Sequence, residues 1–240
     1  HVDHIRYLPS KNKRIGYQYT IETASGLHVD IAPLKHPSLQ HIRMEFNPNK
    51  FDPTGTLFHP LLTHAKWVRA TRIDYAIDFP EDLSQYRWDT DNMRKKVKFE
   101  SPNGNLETLY LGMSTSPDFY RIYNKALEQG EPGTLWRIEH VFKLTTKQNY
   151  TDLRPFDNLF GWKPDTFTGD YQDDLILSDL YSNPNNFSRL SRRKQEHYRK
   201  LMKDHSRTVH QDITPATVYK ATCAPLNNFL WNLMNNRTHV

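Results

Sequence analysis

The sequence predicts an α+β fold: a large antiparallel sheet with one polar face, helices on the other face, and a helical C-terminal part. Several stretches alternate apolar and polar residues with the period of two that places successive side chains on opposite faces of a strand. Their polar residues are mainly Arg, Asp and Glu with one Tyr, which suits a catalytic surface better than a plain solvated face. After residue 147 the pattern changes to loops and a basic helix. We therefore expect a β-rich domain over residues 1–149 and a mostly helical, basic region over residues 150–240.

Length and composition limit the classes of protein that fit. The chain has 240 residues and a net charge of +5, which allows one domain with a helical appendage and favours a polyanionic partner. Its one cysteine, Cys223, excludes a disulfide within the chain and suits a reducing compartment. We find neither an apolar run of the ~18 residues that a membrane span needs nor a secretory leader. We therefore predict a cytoplasmic location without membrane attachment.

The N-terminal part contains several strand patterns. Residues 15–22 and 27–31 flank a turn that contains glycine, which predicts a hairpin. Residues 41–47 alternate in the same way, with Glu45 on the polar side. Residues 56–67 carry leucines and a tryptophan at a spacing typical of a short helix.

Residues 70–79 have the clearest strand pattern in the chain. The apolar face carries Ile73, Tyr75, Ile77 and Phe79, and the polar face carries Arg72, Asp74, Ala76 and Asp78. At about 3.3 Å per residue, the two aspartates lie within roughly 13 Å of each other. Aspartate is depleted in strands. The pair therefore indicates either a face that binds a hard divalent cation or a solvent-facing edge strand whose charges discourage aggregation.

The middle of the chain continues with mixed elements. Residues 83–98 predict a short helix with a basic end. An Asn-Gly pair then predicts a hairpin turn, and strands are predicted over residues 108–112, 118–125 and 135–143. The polar face of the last of these strands carries Arg137 and Glu139.

The strand predicted over residues 118–125 contains a candidate nucleophile. Its alternation places Arg121, Tyr123 and Lys125 on one face, and Tyr120 on the other. A nearby positive charge favours the ionised form of an acid, so a phenol between two cations is a candidate to attack phosphorus. The alternative is an ordinary exposed tyrosine on a solvated strand face.

The C-terminal region is loop-rich at first and then basic. Residues 150–187 predict loops with one short helix near 173–181, and residues 188–204 predict a basic helix capped by Ser188. The cations of this helix could form a solvated face, but in a protein that acts on nucleic acid we expect them to contact phosphates. They are Arg189, Arg192, Arg193, Lys194, Arg199 and Lys200. A last apolar helix is predicted to begin near Thr214, for core or partner packing.

Common catalytic signatures are missing from the sequence. It has no phosphate-binding P-loop, no dinucleotide-binding glycine pattern, no zinc-protease His-Glu-x-x-His and no serine nucleophile elbow. A tyrosine beside cations and a set of carboxylates remain. Together they suit transesterification of a DNA phosphodiester, in which the tyrosine attacks phosphorus, a carboxylate-bound metal polarises the phosphate, and Arg and Lys stabilise the developing charge.

Three motifs in order carry a family resemblance. Residues 108–112, followed by Arg121-Ile122-Tyr123-Asn124-Lys125 and Glu128, resemble the "YxGS…S…RIYxK…E" signature of the Rep_trans-type initiators of staphylococcal rolling-circle plasmids, to which conjugative relaxases are related. Residues 72–78 resemble the family's "RxDxAxD" strand, and residues 137–139 resemble its "RxE" strand. The resemblance covers roughly residues 40–145 and departs from the family pattern at Met113, where serine is common.

The resemblance implies roles for individual residues. Tyr123 would be the nicking tyrosine, with Arg121 and Lys125 beside it. The neighbouring Tyr120 could compete for that role, but strand phase favours Tyr123. The ligands for Mg²⁺ or Mn²⁺ would be Asp74, Asp78 and Glu139, with Glu45 a weaker candidate. DNA contacts are expected from Arg72 and from the basic helix.

The function predicted in this way is metal-dependent nicking of one strand of origin DNA. A 5′-phosphotyrosyl intermediate forms, the strand is later rejoined, and rolling-circle replication begins. The alternatives are a conjugative relaxase of the same family and a non-catalytic DNA-binding protein that uses its sheet as a saddle. The expected partners are origin DNA, either duplex with an extruded hairpin or a single-stranded nick site, a host helicase and a second copy of the chain.

Overall fold

The computed structural model describes residues 6–9, 16–23, 26–33, 42–47, 50, 70–92, 95–144, 153–163 and 168–205. The chain divides into two compact units, one formed by His1–Val68 with Ala224–Val240 and the other by Arg69–Cys223. The helices predicted over residues 56–67 and from Thr214 onward lie outside the described residues. The predicted domain boundary near residue 149 stays a prediction.

The first unit contains a four-stranded antiparallel sheet in the order β1-β2-β3-β4. Its strands are β1 (Arg6–Pro9), β2 (Tyr17–Glu22), β3 (His28–Pro33) and β4 (Ile42–Glu45). Apolar residues of β2, β3 and β4 pack around buried Leu27 and Val29. The predicted hairpin and the strand after it are therefore confirmed.

The second unit contains a five-stranded antiparallel sheet in the order β5-β10-β9-β8-β7. Its strands are β5 (Arg72–Phe79), β7 (Lys96–Glu100), β8 (Leu106–Leu111), β9 (Asp118–Asn124) and β10 (Trp136–Lys143). A separate two-stranded sheet pairs β6 (Arg87–Thr90) with β11 (Leu159–Trp162). The helices are α1 (Lys125–Gln129), α2 (Tyr171–Ser182) and α3 (Arg192–Asp204). The predicted α+β class is confirmed.

The apolar face of the five-stranded sheet is closely packed. Tyr120 is fully buried, and its ring stacks on His140 with 3.9 Å between ring centroids. The Nδ1 atom of His140 accepts a hydrogen bond from the backbone N–H of Phe156 at 3.1 Å. Phe156 is itself buried and has a φ of 66°, a left-handed value that costs a non-glycine residue free energy and persists only when its surroundings fix it. Phe156 is thus anchored on this face.

The helix predicted over residues 83–98 is wrong. The segment forms a 3-10 turn at Leu83–Gln85 and then the strands β6 and β7. Trp88 is buried, and its indole N–H donates to the carbonyl of Leu83 at 3.0 Å. On the partner strand, a Cβ added at Gly161 would lie 2.9 Å from the Trp88 ring, so glycine is what allows β11 to approach β6 closely.

Two helices pack against the two-stranded sheet. Their shared core consists of Phe160, Trp162, Leu177, Leu180 and Tyr198. Both α2 and α3 correspond to helices predicted from the sequence. The start of α3 differs, because Ser191 rather than Ser188 caps it, with Pro184–Arg189 forming a separate 3-10 helix. Within the described part of the chain, no helix has the length and apolar character needed to cross a membrane.

Candidate active site on the five-stranded sheet

Two rows of side chains run across one face of the five-stranded sheet. Residues directly opposite each other on neighbouring strands share a face, so the register fixes which side chains meet. The first row consists of Asp78, Arg137, Tyr123, Thr108 and Phe99. The second row lies two residues from the first on each strand and consists of Ala76, Glu139, Arg121, Tyr110 and Val97. The predicted nucleophile therefore lies beside two arginines and a glutamate.

The hydroxyl of Tyr123 contacts a carboxylate directly. It donates a hydrogen bond to Oε1 of Glu139 at 2.8 Å. Oε2 of the same carboxylate accepts one from Nη1 of Arg121 at 2.9 Å. Tyr123 is 4% exposed and the Glu139 side chain 12% exposed, so the contact is largely shielded from water. A carboxylate within hydrogen-bond distance of a hydroxyl is placed to accept its proton.

The prediction that flanking cations favour ionised Tyr123 is wrong for this structure. Burial, followed by the hydrogen bond to Glu139 and the charge of that carboxylate, raises the pKa of Tyr123 well above its ordinary value. The charge of Arg137 acts in the opposite direction but is a smaller influence. The phenol is therefore neutral at physiological pH and needs a base before or during any attack.

Both cations predicted beside Tyr123 lie against its ring. The Cζ atom of Arg121 is 5.1 Å from the ring centroid, and the Nζ atom of Lys125 is 5.8 Å from it. Lys125 does not belong to the strand as predicted, because β9 ends at Asn124, whose side chain caps α1. Lys125 is the first residue of that helix and forms an ion pair with Glu128.

The carboxylates predicted to bind metal are held by separate arginines. They are Asp74, Asp78 and Glu139, and their partners are, in the same order, Arg72, Arg137 and Arg121. Among the residues that the structure describes, no three His, Cys, Asp or Glu side chains come close enough together to hold a metal ion. The arrangement does not fit a preformed three-carboxylate site. Binding of Mg²⁺ or Mn²⁺ stays a prediction from the sequence.

The weaker acidic candidate lies in the four-stranded sheet of the other unit. Glu45 accepts a hydrogen bond from Nη2 of Arg43 at 2.5 Å. Nη1 of Arg43 donates to buried Asp30 at 2.7 Å, and Asp30 also accepts one from the Thr20 hydroxyl. These contacts explain Glu45 as part of an ion-pair cluster that neutralises a buried aspartate.

Strand phase separates the two tyrosines as the sequence predicts. Tyr120 points into the apolar face, where it is fully buried against His140. Tyr123 shares the opposite face with Arg121 and Glu139. The competing tyrosine thus lies on the side of β9 away from the polar rows.

The basic residues predicted to contact DNA lie mainly at the surface of α3 and of the preceding 3-10 helix. The Arg192 side chain is 93% exposed and forms an i,i+4 pair with Glu196. Arg199 instead lies over the Phe187 ring, 5.3 Å from its centroid. The others are the exposed residues Arg189, Arg193, Lys194 and Lys200. Their role in DNA binding stays a prediction.

Arg137, Phe99 and Tyr110 lie in the two rows but have no role predicted from the sequence. Arg137 holds Asp78 through two hydrogen bonds, at 2.5 and 2.7 Å, and also interacts with Tyr123. Phe99 and Tyr110 come from β7 and β8 and lie on the same face as Tyr123. The signal that could have found them is the pairing of β7, β8 and β9, which requires β7 to be recognised as a strand.

Comparison with known proteins agrees with the family resemblance that the sequence motifs indicate. No protein-family model matches the chain. One replication initiation protein of Staphylococcus aureus is 31% identical to it over 189 residues, which is 75% of this chain and 60% of the relative. A second from the same organism is 32% identical over 189 residues, with the same shares covered. The chain thus spans about 60% of the length of the curated relatives it matches.

Among solved structures, the rolling circle replication initiator protein from Geobacillus stearothermophilus is 19% identical, with a TM-score of 0.38 over 57% of this chain and 60% of that chain. A likeness of this size does not establish a shared fold. The sequence matches are the stronger finding, and they confirm the predicted resemblance. The chain is thus related in sequence to the S. aureus replication initiation proteins, and the similarity covers three quarters of its length.

Proposed function

We propose that this chain initiates rolling-circle replication by nicking one strand of origin DNA with Tyr123. The observation that carries the proposal is the hydrogen bond of 2.8 Å between the Tyr123 hydroxyl and Glu139. A nucleophile, a base within reach of its proton and nearby cations for a phosphate are the groups that such a transesterification needs. The sequence similarity to replication initiation proteins supports the biological role.

The reaction follows from these positions. Tyr123 Oη attacks the scissile phosphorus while its proton passes to Glu139, so an Oη–P bond forms. The P–O3′ bond breaks, and the departing 3′ oxygen takes up a proton to become a free 3′ hydroxyl. Arg121 and Arg137 stabilise the charge that develops on the phosphate oxygens. The phosphodiester energy is kept in the phosphotyrosyl bond, so attack by a 3′ hydroxyl can rejoin the strand.

Origin recognition is the second part of the proposal. The exposed cations of α3 would contact phosphates of duplex DNA and position the nick site, since phosphate contacts orient a protein on DNA. Dimer formation and recruitment of a host helicase are further proposals that rest on the family resemblance. The need for Mg²⁺ or Mn²⁺ is proposed on the same ground.

The test is covalent capture of DNA. Supercoiled plasmid that carries the replicon's own origin is incubated with the protein and Mg²⁺ or Mn²⁺. We expect open circles with protein attached, and nuclease digestion followed by mass spectrometry should find the nucleotide on the peptide that contains Tyr123. Tyr123→Phe should bind the plasmid without forming the adduct.

Tyr120→Phe is the matched control, and it should form the adduct as the wild type does. Nicking by Tyr123→Phe, with loss of nicking in Tyr120→Phe, would reverse the assignment. DNA retention by the wild type without any nick would favour a non-catalytic DNA-binding protein.

A further inference from the structure

An exposed aromatic pair lies on the same sheet face as Tyr123. Phe99 is 51% exposed. Its ring meets that of Tyr110 edge to face, with 5.5 Å between centroids and 70° between planes. Exposed apolar surface on an edge strand is an aggregation risk that proteins usually avoid. The pair is therefore a candidate binding surface.

The register connects this pair to the candidate active site. Phe99 lies opposite Thr108, which lies opposite Tyr123, so Phe99 is two strands away from the nucleophile in the same row. Neighbouring strands are about 4.8 Å apart, so the two backbones are separated by roughly 10 Å. A few nucleotides of an extended strand span such a distance.

Arg121 bridges the aromatic pair and the nucleophile. Its Cζ atom lies 5.9 Å from the Tyr110 ring centroid and 5.1 Å from the Tyr123 ring centroid. Phe99, Tyr110, Arg121 and Tyr123 thus form a continuous series of ring and cation contacts. Aromatic faces next to cations are the combination with which proteins bind single-stranded nucleic acid, since bases stack on the rings while cations follow the phosphates.

We propose that Phe99 and Tyr110 form a stacking platform for unpaired bases next to the phosphate that Tyr123 attacks. The inference rests on the proposed nicking function and adds the residues that would hold the bases of its single-stranded substrate, Phe99 and Tyr110. Duplex DNA does not satisfy the platform, because its base faces are covered by stacking within the helix. The cations of the polar rows supply the complementary charge for the phosphates beside the stacked bases.

The test measures binding and base contact separately from nicking. The probe is a single-stranded dT 12-mer, and its 5-iodouracil version crosslinks to aromatic rings in contact with the base under ultraviolet light. We expect Phe99→Ala and Phe99→Leu to raise the Kd for the 12-mer by about 5- to 140-fold, the range for loss of one stacked base. Phe99→Trp should keep the affinity, and the wild-type crosslink should map to Phe99 or Tyr110.

Tyr171→Ala is the control variant, since Tyr171 is 79% exposed but lies on α2. It should bind the 12-mer as the wild type does. Three results would overturn the platform. Phe99→Ala could lose as much affinity for a 12-base-pair duplex as for the single-stranded 12-mer. Phe99→Leu could keep full affinity for the 12-mer, or the crosslinks could be confined to peptides without Phe99 and Tyr110. Failure of the nicking function would appear differently, as the absence of any covalent adduct with origin DNA in the wild type.

Discussion

The Tyr123 hydroxyl and the Glu139 carboxylate are hydrogen-bonded across 2.8 Å, between neighbouring strands β9 and β10. At this contact the pKa of Tyr123 is raised, and the Glu139 carboxylate is close enough to accept the phenol proton. A neutral phenol is a weak nucleophile, and a positioned base typically increases the rate of such a step by about 10²- to 10⁴-fold. The proposed reaction therefore depends on Glu139 as much as on Tyr123.

Glu139→Gln should slow adduct formation by about 10²- to 10⁴-fold, because the amide keeps the shape of the side chain but does not accept the phenol proton. The measurement is the single-turnover rate of covalent capture on origin DNA. Glu131→Gln, at an exposed position in the turn before β10, is the control and should react at the wild-type rate. An unimpaired Glu139→Gln enzyme would show that the proton leaves by another route.

Alkaline pH should destabilise the protein partly through Tyr123. Its folded-state pKa lies above the value of about 10 for an unfolded tyrosine. The stabilisation that this shift represents is fully present below pH 10 and is lost as the pH rises toward the folded-state pKa. Denaturant unfolding between pH 8 and pH 11.5 should therefore show a smaller alkaline loss in Tyr123→Phe than in the wild type.

The difference should be partial, since burial also raises the pKa of Tyr198 to about 12. Tyr19→Phe, which replaces a partly exposed tyrosine of the four-stranded sheet, provides the comparison. Identical pH profiles for the wild type and Tyr123→Phe would contradict a raised pKa at this position.

The Arg137–Asp78 pair should matter more for nicking than for stability. Both side chains are partly exposed, at 27% and 42%, and such pairs contribute about 1 kcal/mol or less to unfolding. Arg137→Lys keeps the charge but loses the two-point contact, so we expect at least a tenfold slower nicking rate with little change in Tm. A double-mutant cycle with Asp78→Asn measures the coupling in both assays. A loss of stability as large as the loss in rate would instead indicate a structural pair.

Removal of divalent metal should abolish nicking and leave thermal stability unchanged. The metal requirement follows from the family resemblance, whereas Asp74 and Asp78 are already neutralised by Arg72 and Arg137 in the described structure. EDTA titration of the nicking assay, followed by a return of Mn²⁺, tests the first part, and Tm with and without EDTA tests the second. Full nicking in EDTA would remove the metal from the proposal.

Strands with strict alternation were predictable from the sequence. β5 and β10 carry large apolar residues at every second position. A one-residue slip would reverse their faces. The same constraint predicts that Tyr123 and Glu139 lie on the polar faces of their strands, and the register confirms that they share one surface. The pairing of Asp78 with Arg137 was not predictable, because it depends on the register between strands 59 residues apart in sequence.

The segment from Leu83 to Glu100 shows where local patterns fail. Its apolar residues fit a helix by spacing, but Asp91-Asn92 forms a turn that divides two strands. β6 becomes a strand by pairing with β11, some 70 residues later, and tertiary pairing of this kind overrides local propensity. Because the local pattern does not predict β7 as a strand, it does not place Phe99 and Tyr110 on the same face as Tyr123.

β10 pairs through backbone hydrogen bonds with β5 on one side and with β9 on the other, over nearly its whole length. The loss or gain of one codon within it would turn Glu139 into the apolar interior and bring Ile138 or His140 beside Tyr123. A substitution within β10 alters one side chain and leaves the register of the others unchanged. A change in the length of the strand would disrupt the candidate site and the core together.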